Sequence, residues 1–105
     1  MTKKPIAYIS GAISTDSNYR KKFANAETIL RACGYEVLNP TMIPPLLTYD
    51  QHMRIDLILV EACDVFVLLP DWRFSDGANV ELDRAKQLGK EIILYSSIDI
   101  AELVC

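Results

Sequence analysis

The run Asp64-Val65-Phe66-Val67-Leu68-Leu69, closed by Pro70, constrains the fold more than any other segment of the chain. Val65 to Leu69 are all apolar, with β-branched and aromatic residues among them, so a strand here has no polar side to turn to water and must be covered on both faces. Strands of that kind sit in parallel sheets, whose neighbours are joined by helical crossovers. The flanking sequence supplies the alternation this requires. Pro5-Ile6-Ala7-Tyr8-Ile9-Ser10, closed by Gly11, reads as a first buried strand. Tyr19, Phe23, Ala26, Leu30 and Cys33 step by four and three, which predicts a helix from Tyr19 to Cys33 with Gly34 as its stop.

Tyr35-Glu36-Val37-Leu38 is the next strand, halted by Asn39-Pro40. Gln51 to Cys63 returns to helical spacing, with Met53, Leu57 and Val60 on one stripe and Asp56 beside it. After the central strand come a polar loop from Pro70 to Gly77, a helix from Ala78 to Leu88 stopped by Gly89, and a last strand Glu91-Ile92-Ile93-Leu94-Tyr95. A terminal helix is expected over Asp99 to Val104. The order βαβαβαβα predicts an α/β fold: a small doubly wound, flavodoxin- or Rossmann-like parallel sheet of about four strands with helices on both faces. It forms one domain over residues 1–105, a length that closes one core but leaves no room for a second.

Composition narrows the function. Half of the residues are hydrophobic and 24% are charged, which excludes disorder. A net charge of -3 argues against a binder of duplex nucleic acid, which needs clustered Lys and Arg, but leaves small anions open, since a helix start can hold them. No window approaches the roughly 20 apolar residues of a membrane span, and Met1-Thr2-Lys3-Lys4 leads into only a short apolar run, so a cytoplasmic protein with no membrane partner is expected. Three cysteines at unrelated spacings read as thiols, not a disulfide frame. His52 is the single histidine and no CxxC or HxxxH spacing occurs, so neither a metal nor another cofactor is expected. Chemistry must then rest on carboxylates, hydroxyls and backbone.

Ligands of doubly wound sheets bind beyond the carboxyl ends of the strands, where strand order reverses. Three segments qualify: Ser10-Gly11-Ala12, Asn39-Pro40 and Asp71 to Gly77. The stretch from Asn39 to Asp50, with prolines at 40, 44 and 45, is a long loop and a candidate lid. Gly77 permits close backbone approach, and either Ser75 or Asp76 suits the cap of the following helix. Glu81 lies between Val80 and Leu82 near the switch point, as a dipole partner or as a catalytic carboxylate. Asp56, among Ile55, Leu57, Ile58 and Leu59, is a solvated residue beside Arg54 or a second functional carboxylate. Tyr8 belongs to the core by default, with a hydroxyl that needs one partner. Asp64 reads as a helix-to-strand turn residue, and Trp72 as either a stacking surface for a base or a cap on the core edge.

Together, Tyr8-Ile9-Ser10-Gly11, the block Asp56-Leu57 with Ala62-Cys63-Asp64-Val65, and Ser75-Asp76-Gly77 followed by Glu81-Leu82, Ala85 and Leu88-Gly89-Lys90 resemble the nucleoside 2-deoxyribosyltransferase superfamily. The pattern covers about residues 5 to 95 and is nearest to the 2′-deoxynucleoside 5′-phosphate N-hydrolases and a small phage-associated branch. The resemblance implies that Glu81 is the nucleophile at the anomeric carbon C1′, that Asp56 protonates the leaving base and orients the sugar, and that Tyr8 supports the nucleophile. It further implies that Ser10 and Gly11 line the sugar and phosphate, and that Ser75 contacts a 5′-phosphate with Gly77 in the same turn. Asn39, Asp76 and Trp72 join them as candidate substrate contacts. The expected ligand is a nucleoside or nucleotide, no cofactor is implied, and the expected assembly is a homodimer or higher homo-oligomer with shared sites. A non-catalytic nucleotide binder using the same pocket is the alternative.

Overall fold

In the computed structural model, which describes residues 3–95, four parallel strands stand in the order β2-β1-β3-β4. They are β1 (Ile6–Ser10), β2 (Glu36–Leu38), β3 (Val65–Leu68) and β4 (Glu91–Leu94), joined by α1 (Tyr19–Ala32), α2 (Tyr49–Ala62) and α3 (Asp76–Gln87). The expected class, a doubly wound parallel α/β sheet, is the one observed. The terminal helix expected over Asp99 to Val104 lies outside the described residues. Single 3₁₀ turns, Pro40–Met42 and Trp72–Phe74, interrupt the connections after β2 and β3.

Strand parity sorts the side chains. Ala7 and Ile9 of β1 and Val65, Val67 and Leu69 around β3 pack with Phe23, Ala26 and Leu30 of α1. Tyr8 of β1 and Phe66 and Leu68 of β3 turn the other way, toward Val60 of α2 and Leu82 and Ala85 of α3. Tyr8 and Phe66 are register partners, and their rings stack with centroids 5.8 Å apart. Phe23, Tyr8 and Phe66 are fully buried, each side chain stabilising the fold by roughly 1.5–3 kcal/mol through area removed from water. Val65 to Leu68 are buried throughout, as a central strand covered on both faces requires.

The helix ends follow local chemistry. Gly34 and Gly89 take positive φ just past α1 and α3. In each case the next residue, Tyr35 or Lys90, donates its backbone N–H back to the last turn, at Leu30 O and Ala85 O. Two helices begin earlier than their apolar spacing predicts. α2 starts at Tyr49 because Thr48 and Gln51 form a reciprocal capping box: Thr48 Oγ1 accepts from Gln51 N and Gln51 Oε1 accepts from Thr48 N. The candidate lid is therefore shorter than expected, ending at residue 48. α3 starts at Asp76, with Ser75 as the cap accepting from Ala78 N at 3.1 Å, so Gly77 lies within the first helical turn and not in a loop. Asp64 is the turn residue expected, and its carboxylate also accepts from Ile6 N, latching the first strand beside the third.

Candidate active site

Strand order reverses between β1 and β3, and the ends of those two strands define the site. Ser10 closes β1 in register with Leu68. Two residues before it, on the same face, stands Tyr8, so both look toward the layer formed by α2 and α3. In α3 the buried positions are Ala78, Glu81, Leu82 and Ala85, the stripe that packs on the sheet, and Glu81 occupies a place where an apolar residue would ordinarily stand. In α2 the buried positions are Asp56 and Val60. The solvated reading of Asp56 is thereby overturned: Arg54 is exposed while Asp56 is only 6% exposed, against 5% for Glu81. Packing of α2 against α3 turns the two carboxyls toward each other.

Ser10 Oγ donates to Glu81 Oε1 at 2.7 Å, a buried hydrogen bond to a carboxyl. Burial pushes the Glu81 carboxyl well above the usual carboxylate range, and the adjacent Asp56 charge and a hydrogen bond between the two carboxyls push it further, while Ser10 acts in the opposite direction. Asp56 is raised by burial and held back by the Glu81 hydrogen bond and the His52 charge. Burial and the mutual approach of the two carboxyls thus favour the protonated form, more strongly at Glu81 than at Asp56. Tyr8 is driven up by burial, then by the charges of Glu81 and Asp56. Its hydroxyl lies near Glu81 without an aligned bond, so Tyr8 Oη and Asp56 Oδ1 are both buried with no hydrogen-bond partner. An orphaned donor and an orphaned acceptor beside a carboxyl pair are costly in a resting core and are explained by a ligand that satisfies them.

Above the carboxyls opens a cavity of about 320 Å³, a size suited to a small organic ligand. Asp56, Ser75, Gly77, Ala78 and Glu81 line one side of it. Pro40, Ile43, Pro45 and Leu47 of the Pro-rich connection, with Tyr49 and Met53, supply an apolar wall. Gly77 belongs at the wall because a Cβ there would stand 3.3 Å from Met53 Sδ and 3.6 Å from the Tyr49 hydroxyl. The structure thus brings together Glu81, Asp56, Ser75 and Gly77 at the cavity, with Tyr8 and Ser10 against Glu81.

The other candidates lie elsewhere. Gly11 does not line the cavity. A Cβ at Gly11 would come within 2.9 Å of Leu69, so the absent side chain answers a packing demand. Asn39 accepts from the backbone and hydroxyl of Thr41 and donates to Glu27, holding the 3₁₀ turn. Asp76 is exposed at the start of α3, and Trp72 packs on the edge of the core beneath α2 and α3. Neither lines the cavity. Tyr19, Arg20, Tyr49 and His52 are among the lining residues that the sequence did not mark as site residues. Only His52 carried a readable signal, one helical turn before Asp56 and so on the same face. Lys22 pairs with Asp16 and Asp71 and donates to Ala12 O, while Asp71 accepts from Ala12 N, which ties the loops after β1 and β3 together. Among the described residues, no three His, Cys, Asp or Glu side chains cluster to hold a metal ion, and no helix is long and apolar enough to cross a membrane.

A family model described as a domain of unknown function, DUF4406, matches residues 5–94. No curated protein matches the chain. Among solved structures, the CMP N-glycosidase BcmB of Clostridium botulinum is similar with a TM-score of 0.65 and 26% identity, over 85% of this chain and 69% of that one. The 2-deoxyribosyltransferase of Leishmania mexicana gives a TM-score of 0.70 at 19% identity over 87% of this chain, which spans 63% of that protein. The 2-deoxyribosyltransferase of Bacillus psychrosaccharolyticus gives 0.70 at 20% identity, over 92% and 79% of the two chains. The resemblance read from the sequence holds: the fold is that of the nucleoside 2-deoxyribosyltransferase-like superfamily.

Proposed function

The chain belongs to the DUF4406 family, whose description carries no activity, and from its site we propose that it cleaves the N-glycosidic bond of a nucleoside or nucleoside 5′-monophosphate, by hydrolysis or by base transfer. The observation that carries this reading is the buried carboxyl pair Glu81 and Asp56, lining a cavity beside Ser10 and the unpartnered Tyr8 hydroxyl. The similar solved structures include a CMP N-glycosidase and two 2-deoxyribosyltransferases, which act on bonds of this class.

Glycosidic cleavage passes through an oxocarbenium-like state and uses two carboxyls in different protonation states, one anionic at C1′ and one acidic at the leaving group. A pair with a single proton has that inventory. As positive charge develops at C1′, Glu81 is the carboxyl that ionises, aided by the Ser10 hydrogen bond, and the shared proton passes to Asp56. Glu81 Oε forms a bond to C1′, the C1′–N bond breaks with its electrons going to the base nitrogen, and Asp56 supplies the proton that the departing base takes up. Water then attacks C1′, releases Glu81 and returns a proton to Asp56, completing hydrolysis; a second base in place of water gives transfer. Tyr8 supports Glu81, and Ser75 and Gly77 contact the substrate from the start of α3.

The protein works as a homodimer or larger homo-oligomer in this reading. Ile58 of α2 and Val80 of α3 are 63% and 47% exposed and supply the apolar surface for it. α1 offers no such surface along its apolar stripe, because Phe23, Ala26 and Leu30 are buried against the sheet.

Incubation with a panel of nucleosides and their 5′-monophosphates, followed by chromatography of the released base, tests the assignment. Release by the wild type that is lost in Glu81→Ala supports it; no release from any of them overturns it. The burial that pushes the Glu81 carboxyl upward, away from the anionic nucleophile, favours one second reading, a nucleotide-binding protein without turnover. There the ligand raises Tm by mass action and is recovered intact.

A further inference from the structure

α2 carries the one histidine of the chain close to its start. The Thr48 cap fixes the helical register there, and His52 N donates to Thr48 O at 2.9 Å. Asp56 follows one helical turn later, so the two side chains share a face of α2. Both line the cavity. Asp56 is buried, whereas His52 is half-buried and nearer to water.

The imidazole is unattached. Among the described residues it makes no ion pair and no hydrogen bond, so it can gain or lose a proton without breaking a contact. Imidazole is the side chain whose charge ordinarily changes between about pH 5 and pH 8. That charge reaches Asp56 through space: burial raises the Asp56 carboxyl, and the Glu81 hydrogen bond and then the His52 charge oppose burial. The remaining ionisable groups of the cavity come from three elements. Glu81 belongs to α3, Arg20 and Tyr19 to α1, and Tyr49 to α2 itself, while residues 40–47 of the Pro-rich connection bring none. Tyr8 reaches Glu81 from β1. A guanidinium stays charged and a phenol neutral across the imidazole range, so the variable charge beside the carboxyl pair is that of His52.

We propose that His52 is a positioning residue that gates the site through its charge: as imidazolium it holds Asp56 as a carboxylate and the site at rest, and as neutral imidazole it frees Asp56 to carry the proton that the departing base takes up. The proposal rests on the glycosidase reading above and deepens it by naming what regulates its acid. An imidazolium one turn away stabilises the Asp56 carboxylate, which has no proton to give. When the imidazolium releases its proton to water that stabilisation ends, and Asp56 accepts the proton that leaves Glu81. His52 touches no reacting atom in this scheme.

The test follows base release, with the nucleosides and monophosphates named above, from about pH 5 to pH 8 in wild type, His52→Gln, His52→Lys and Arg54→Gln. His52→Gln, which cannot become a cation, keeps its kcat further into acid and exceeds wild type by about threefold or more near the acidic end. His52→Lys, a lasting cation, stays below wild type at the upper end. The effect lies in kcat rather than KM. Arg54→Gln removes an exposed cation from another face of the same helix and follows the wild-type profile. Superimposable profiles for wild type and His52→Gln, or an equal loss of kcat in His52→Gln and His52→Lys at every pH, overturn the gate. If the wild type releases no base, the glycosidase reading fails by itself. Carbon-13 NMR titration of the Asp56 carboxyl in the same proteins then decides the gate: a higher midpoint in His52→Gln than in wild type, absent from Arg54→Gln, sustains it, and equal midpoints in wild type and His52→Gln end it.

Discussion

Ser10 and Glu81 are 71 positions apart in sequence and joined by a 2.7 Å hydrogen bond from the serine hydroxyl to the carboxyl. The bond links the end of β1 to the middle of α3 at the point where the sheet reverses direction, and together with Tyr8 it favours the ionised form of Glu81. Removing it tests the chemistry more finely than removing the carboxyl.

Ser10→Ala takes away one of the two groups, with Tyr8, that oppose burial and Asp56 at Glu81, so the Glu81 pKa rises further. In the proposed reaction kcat falls by about tenfold to a hundredfold, and the acid limb of the pH–rate profile moves to higher pH. Steady-state rates of base release across a pH series measure both. An unshifted limb would sever Ser10 from the ionisation of Glu81.

The carboxyl pair also governs stability. Folded Glu81 and Asp56 bind protons more tightly than they do unfolded, so their favourable contribution is complete below the unfolded range and is lost as pH rises through the folded values. Wild-type stability therefore declines as pH climbs above the ordinary glutamate value of 4.5. Glu81→Gln, which cannot ionise and still donates to Asp56, flattens this decline and raises stability near neutral pH by about 1 kcal/mol, or about 4–8 °C in Tm. Urea unfolding from pH 4 to pH 8, followed by circular dichroism, reads the slope in both proteins.

Gly11 and Gly77 separate a packing role from a site role. A methyl at Gly11 stands 2.9 Å from two carbons of Leu69, so Gly11→Ala overpacks the strand end and costs about 1–3 kcal/mol. At Gly77 the nearest atom is the flexible Met53 Sδ at 3.3 Å, so Gly77→Ala costs about 1 kcal/mol or less while narrowing the cavity. Chemical denaturation with ligand titration shows Gly11→Ala altered mainly in stability and Gly77→Ala mainly in KM.

Thr48→Ala removes one half of the capping box that starts α2. A loss of about 1 kcal/mol is expected from the cap alone, visible as a lower urea midpoint with an unchanged m-value. Because residues 40–47 enter α2 through this cap and wall the cavity, KM for the substrate rises alongside.

Much of the site was legible in one dimension. Tyr8 and Ser10 share a face because strand side chains alternate, and the end of β1 next to the central strand marks the switch point. Glu81 stood out as a carboxylate between Val80 and Leu82 close to that point. The early start of α2 was readable in principle, since Thr48 with Gln51 is a cap signature, but the prolines of the preceding loop masked it; at α3, of the two cap candidates, Ser75 is the one used. Asp56 was not decidable. Its neighbours Arg54 and Ile55 allow either face of α2 to turn inward, and the apolar stripe through Met53, Leu57 and Val60 pointed to a slightly different one.

The order of elements and the parallel sheet buried on both faces were determined by the sequence itself, because hydrophobic period and turn residues are local properties. The meeting of Glu81 with Asp56, the orphaned Tyr8 and Asp56 atoms and the presence of Arg20 at the same cavity were decided by tertiary structure alone. They depend on how α2 seats against α3 and where α1 begins relative to β1, and such distances are set by packing of the whole core.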